Sequence, residues 1–182
     1  FMNSLNATIT AVGGYVPEYV LTNKILESMV ETNDQWIVSR TGIKERRILK
    51  GNELGSSFLA INAAKDLLAK KNIDPTTIDL VIVATATPDM QAASTASYTA
   101  TQIGAINAFS FDMDAACSSF LFGMSVAARY IESGAYKKVL LIGADKNSSM
   151  IDYTDRATCI IFGDGAGAVL FEPNNEGLGM QD

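Results

Sequence analysis

The chain has 182 residues, 48% hydrophobic and 19% charged, with a formal net charge of −6 and no histidine. This is the composition of one compact globular domain, long enough to bury roughly 70% of its unfolded surface. The negative balance argues against a nucleic-acid-binding surface, no stretch has the apolar length of a membrane span, and the missing histidine excludes a Ser-His-Asp or Cys-His triad or a histidine-ligated zinc within these residues.

Residues 6–16, NATITAVGGYV, alternate β-branched with small side chains and end at Gly13 and Gly14 ahead of Pro17, as a first strand entering a turn does. Thr22 or Asn23 can cap a short helix over residues 24–30. In ETNDQWIVSRTGIKERRI, a cap at Thr32 or Asn33 opens a helix with Trp36 and Arg40 on one face. There an indole and a guanidinium can jointly hold a flat or anionic ligand. The plainer alternative makes Trp36 a core aromatic and Lys44, Arg46, Arg47 and Lys50 a solvated basic patch. Residues 55–71 set Phe58, Leu59, Ile61, Ala64, Leu67 and Leu68 against Lys65, Asp66, Lys70 and Lys71, an amphipathic surface helix. Pro75 and Asp79 bracket a turn before LVIVATAT (80–87), a run suited to a sheet covered on both faces, and strand, helix and strand in this order imply a layered α/β domain.

A loop, TPDMQAASTAS (87–97), leads through a short helix to the run 108–134, AFSFDMDAACSSFLFGMSVAARYIESG. Phe109, Phe111 and Met113 alternate with polar residues, and the spacing turns helical at Cys117, so a buried strand is expected to run into a helix there. No charge occurs between Cys117 and Ala128, while Phe120, Met124, Ala127 and Ile131 recur at helical steps, so this helix belongs inside a protein. Gly134 is placed to end it as a left-handed cap. Ala115, Ala116, Ser118 and Ser119 leave little bulk around the Cys117 sulfur. A thiol in a first helical turn meets unpaired N–H groups and a partial positive charge, which favour thiolate; lowering its pKa from about 8.5 to roughly 7 takes about 2 kcal/mol. The plainer reading is that Cys117 is a small core hydrophobe.

KKVLLIGAD (137–145) reads as another buried strand. Further on, Gly163, Gly165 and Ala168 fit GxGxxA, but that fingerprint needs a following helix, and AVLFEP reads as a strand ended by Pro173. Arg156 alone reads as a surface arginine paired with Asp152 or Asp155. Cys117 and Cys159 are expected as reduced thiols of a cytoplasmic protein, since no secretory leader pattern or disulfide scaffold is evident.

The segment FDMDAACSSFLFG resembles the nucleophile-bearing strand and helix of the thiolase superfamily, specifically of β-ketoacyl-ACP synthase III. ITAVGGYVP, TNDQWIVSRTGI and TDRATCIIFGDGAGA agree with it in order and spacing, so the resemblance covers essentially all 182 residues. It implies an α/β thiolase-like fold, a mixed five-stranded sheet between helix layers, of which residues 1–182 form the N-terminal half alone. It implies an acyltransferase that initiates fatty-acid synthesis. Cys117 takes an acyl group from acyl-CoA, then a carbanion from decarboxylated malonyl-ACP attacks the thioester to give 3-oxoacyl-ACP, helped by a histidine and an asparagine of the C-terminal half.

By the same resemblance, Thr32, Trp36 and Arg40 belong to the coenzyme A segment, and Arg156 stacks on the other side of the adenine. Ala92 stands where a phenylalanine often closes the acyl pocket from across the dimer. The Cys117 N–H is one donor to the thioester oxyanion. FGDGAGA matches a tight turn between the last two strands of this half, with Cys159 buried and inert on the incoming strand. No cofactor or metal is implied, acyl-CoA being a substrate. Expected partners are acyl-CoA, malonyl-ACP and acyl carrier protein, the C-terminal half and a second copy in a homodimer, with no nucleic acid and no membrane. Other coenzyme A condensing enzymes, such as hydroxymethylglutaryl-CoA synthase or ketide synthases, and a non-catalytic half serving dimerisation stay open as alternatives.

Overall fold

The computed structural model describes residues 5–51 and 55–180. Its centre is β4 (Leu80–Ala84), whose five residues are all buried because it pairs in parallel on both sides, with β5 (Phe109–Met113) and β6 (Val139–Lys146). β7 (Asp164–Asn174) runs antiparallel to β6, and β1 (Asn6–Tyr15) antiparallel to β7, completing a mixed sheet in the order β1-β7-β6-β4-β5. β2 (Tyr19–Thr22) and β3 (Glu45–Ile48) form a separate antiparallel pair.

Strand alternation divides the core. On one face Val81, Val83, Leu140 and Ile142 meet α3 (Ser56–Lys71) and α4 (Thr95–Ile103). On the other, Leu80, Ile82 and Leu141 meet Ala127, Ala128 and Ile131 of α5 (Ser119–Glu132). Backbones approach closely where α3 crosses β1: a Cβ built on Gly13 would stand 2.5 Å from the Ala63 carbonyl oxygen. A third cluster, Leu21, Leu26, Ile37, Ile48, Cys159 and Ile160, unites β2, β3, α1 (Asn23–Leu26) and α2 (Asp34–Thr41) with the turns at 151–163. No helix among the described residues is long and apolar enough to cross a membrane.

Several expectations need correcting. The glycine run is not a tight turn: Gly165 and Gly167 lie inside β7, because partners on both sides, β1 and β6, hold that segment extended. Cys159 is buried as expected, but in a turn and not on a strand. The 109–113 strand is a half-exposed edge, with Phe109 68% exposed, since β4 is its only strand partner among the described residues. Arg46, assigned above to a solvated patch, is buried. α1 is four residues long, shorter than expected. The apolar helix is covered on one face, leaving Leu121 and Phe122 exposed on the other.

Candidate active site

Between β5 and α5 the chain turns through a 3-10 segment, Ala116–Ser118, with Cys117 at its middle and exposed. Cys117 therefore precedes the α-helix and does not sit in its first turn. The cause is Ala116, whose φ of +49° is left-handed and interrupts the helical path. Three side chains hold that conformation. Asp114 Oδ1 accepts the Ala116 amide at 3.0 Å, Ser118 Oγ donates to the Ala115 carbonyl at 2.8 Å, and Ser119 Oγ accepts the Ala115 amide at 2.5 Å while donating to the Ala116 carbonyl at 2.8 Å.

The Cys117 turn borders an open cavity of about 300 Å³ at the carboxyl ends of β4 and β6, walled further by the glycines of β7. Small residues create it. A Cβ on Gly143 would press on the Phe120 ring at 3.1 Å. Asp145, on the wall, accepts Thr85 Oγ1 (3.1 Å), the Ala86 amide (2.8 Å) and Thr87 Oγ1 (3.0 Å), tying the end of β6 to the chain leaving β4. Buried Asp164 accepts the Leu49 amide, the Ser148 amide and Ser148 Oγ, bracing the next turn against β7. The other cysteine differs in kind: burial pushes the Cys159 thiol up, away from thiolate.

A second constellation forms around Trp36. Asn33 caps α2 by accepting the Trp36 amide at 2.8 Å, and one turn later the Arg40 guanidinium lies 4.4 Å from the indole centroid. The Arg156 guanidinium lies 5.3 Å from the same ring and donates to the Glu31 carbonyl at 3.1 Å, not to Asp152 or Asp155. Trp36 is half-buried, with part of its surface packed on the third cluster. Thr32 stands just ahead of the Asn33 cap, its buried hydroxyl without a hydrogen-bond partner. A half-exposed indole beside two guanidiniums can take a flat, electron-rich ring carrying anionic groups.

Ala92 is exposed and belongs to neither constellation. Its loop is fixed at both ends by carboxylates: Asp89 accepts the Ser57 amide at 3.0 Å, and Asp112 accepts the Thr95 and Ala96 amides at 2.7 Å each and Ser94 Oγ at 3.0 Å. Sequence reading missed Asp89, Asp112 and Asp145. Asp112 was visible as a carboxylate in an apolar strand pattern and the short helix after the loop was expected, but not that the one caps the other. A larger cavity, about 510 Å³, lies beside the β2–β3 pair between Tyr19, Met29, Lys50 and Tyr153, and neither cysteine lines it. Among the described residues no group of acidic, histidine or cysteine side chains could hold a metal.

Residues 111–181 match the family described as 3-oxoacyl-[acyl-carrier-protein (ACP)] synthase III. The chain is 56% identical over 181 residues to β-ketoacyl-[acyl-carrier-protein] synthase III 2 of Bacteroides thetaiotaomicron, covering 100% of this chain and 54% of that protein. Its fold matches 3-oxoacyl-[acyl-carrier-protein] synthase III from Aquifex aeolicus at a TM-score of 0.88 and 46% identity, over 91% of this chain and 53% of the other. It also matches the priming β-ketosynthase of the R1128 polyketide pathway at 0.89 and 34% identity, over 93% and 50%. The chain spans about half the length of the curated relatives it matches.

Proposed function

We propose, for a chain that belongs to the β-ketoacyl-[acyl-carrier-protein] synthase III family and spans about half the length of its relatives, that it is the cysteine-bearing N-terminal half of an initiating condensing enzyme. One observation carries the reading: of two free cysteines, Cys117 alone is exposed, on a braced left-handed turn at the mouth of a cavity kept open by small residues. Its sulfur attacks the thioester carbonyl of acyl-CoA, a new carbon–sulfur bond forms, and the bond to coenzyme A breaks. The thiol proton ends on the departing coenzyme A. One thioester replaces another, so the exchange is nearly isoenergetic and the barrier is set by access and by the thiolate. The Cys117 N–H is one donor to the oxyanion.

Trp36, Arg40 and Arg156 take the adenine and phosphates of acyl-CoA, Thr32 contributes from the same segment, and Ala92 faces the acyl pocket across a homodimer. The second stage, attack by the carbanion of decarboxylated malonyl-ACP, draws its histidine and asparagine from the C-terminal half, which seats on the exposed Leu121 and Phe122 face of α5. Acyl-CoA is substrate and no cofactor is required; the working compartment is the cytoplasm.

Incubation with acetyl-CoA followed by peptide mass mapping tests this. An acetyl group is expected on the Cys117 peptide and not on Cys159, with no turnover of malonyl-ACP by this chain alone. Absence of acyl transfer to Cys117, or equal transfer to both cysteines, overturns it.

A further inference from the structure

Arg46 is buried at 4% exposure, and its hydrogen-bond acceptors are all neutral. Nε and Nη2 both donate to the Ile160 carbonyl, Nε at 2.8 Å, and Nη1 donates to Asn23 Oδ1 at 2.6 Å. A buried guanidinium without a carboxylate loses hydration and regains only dipoles, an arrangement that a pure packing role does not require, since an apolar side chain of similar volume would fill the space at less cost.

The acceptors identify what the guanidinium joins. Asn23, 1% exposed, passes the connection on through Nδ2, which donates to Asp34 Oδ1 at 2.8 Å and to the Ile43 carbonyl at 2.9 Å. Asp34 is the first residue of α2, and Ile43 follows the left-handed Gly42 that ends it, so one amide holds both ends of the helix carrying Trp36 and Arg40. Ile160 lies in the turns that carry Arg156. Those turns and α2 are far apart in the chain; Arg156 donates to the carbonyl of Glu31, three residues ahead of α2, and the third cluster packs the two together.

We infer that Arg46, acting through Asn23 and the Ile160 carbonyl, is a positioning residue that sets the spacing of the Trp36, Arg40 and Arg156 clamp. The inference rests on the coenzyme A reading of that clamp for its consequence, though not for its geometry. Without the network, only the apolar contacts of the third cluster and the bond from Arg156 to the Glu31 carbonyl hold α2 to the 151–163 turns, their spacing slackens, and the two guanidiniums converge less closely on one ring.

Trp36 is the protein's one tryptophan, so its emission reports the clamp directly. The test compares the wild-type chain with Arg46→Met and Asn23→Asp. The second keeps an acceptor for Arg46, even improving it to a carboxylate, but loses both Nδ2 donors to α2. Both variants are expected to shift Trp36 emission and raise its iodide quenching at least two-fold. Both should weaken coenzyme A binding about ten-fold, the worth of roughly one desolvated cation–π contact. Cys117 alkylation stays within two-fold of wild type.

Folded variants with wild-type emission, quenching and affinity overturn the inference, as does loss of fold in both, which would make the network a determinant of the whole fold and not of the clamp. If Arg46→Met alone fails to fold, Asn23→Asp decides. If the wild type does not bind coenzyme A, the coenzyme A reading fails, and the emission and quenching arms still decide the positioning role.

Discussion

Replacing Ala116 by glycine and by valine tests the turn on which the nucleophile stands. At φ +49° the alanine Cβ crowds the following carbonyl, at a cost of about 1 kcal/mol. Glycine removes that crowding but gives the unfolded chain more freedom, worth about 0.4–1 kcal/mol in the opposite sense. Ala116 is exposed, so no buried area is lost, and the net change for Ala116→Gly is expected within about 0.5 kcal/mol of zero. An ordinary helical position would instead lose about 1 kcal/mol. Ala116→Val puts a β-branched side chain into the left-handed region and should cost about 2 kcal/mol or more. It should also slow alkylation of Cys117, because the displaced turn no longer presents the sulfur to the cavity. Urea unfolding and iodoacetamide kinetics on the three proteins read both effects. A loss of about 1 kcal/mol in Ala116→Gly, together with a tolerated valine, would show a helical Ala116 and refute the reasoning.

Asp112→Ala leaves the Thr95 and Ala96 amides, both on residues at most 2% exposed, without their acceptor, and should cost about 2–3 kcal/mol with faster proteolysis at residues 87–94. A loss under about 1 kcal/mol would mean α4 does not depend on that cap. Burial raises the Cys159 thiol, so the fold favours its protonated form: that stability is present in full below the ordinary thiol range, about 8.5, and declines as pH rises through the raised value. Cys159→Ala should flatten the decline, leaving the part from Tyr153, also raised by burial, above about 10; an unaltered pH profile counts against it. Leu121→Ser with Phe122→Ser removes exposed apolar surface, so urea stability should change by less than about 0.5 kcal/mol while self-association in sedimentation falls. Unchanged association would mean that this face is not the one that self-associates.

Much of this molecule is local in origin. The unbroken apolar run Leu80–Ala84 reads as a doubly covered strand, and it is the centre of the sheet. Helical spacing put Trp36 and Arg40 on one face, and the Asn33 cap sets that face where the indole and guanidinium meet. The small residues around Cys117 predicted an uncrowded sulfur, and the sulfur is exposed. These features depend on periodicity, capping and side-chain size, which neighbours in the chain settle among themselves.

Tertiary structure decided the rest, because the partners are remote. The glycines at 165 and 167 have little strand preference of their own and are extended only because β1 and β6 pair with them from either side. The alternating pattern at 109–113 specifies a strand but not how many neighbours it has, so its exposed edge was illegible. Arg46 reads as a solvated charge until its acceptor, the Ile160 carbonyl 114 residues away, comes into view. The same holds for Arg156, whose nearest acidic residues in sequence are not its partners: its place beside Trp36 follows from how the 151–163 turns pack on α2, a contact between segments that no local pattern encodes.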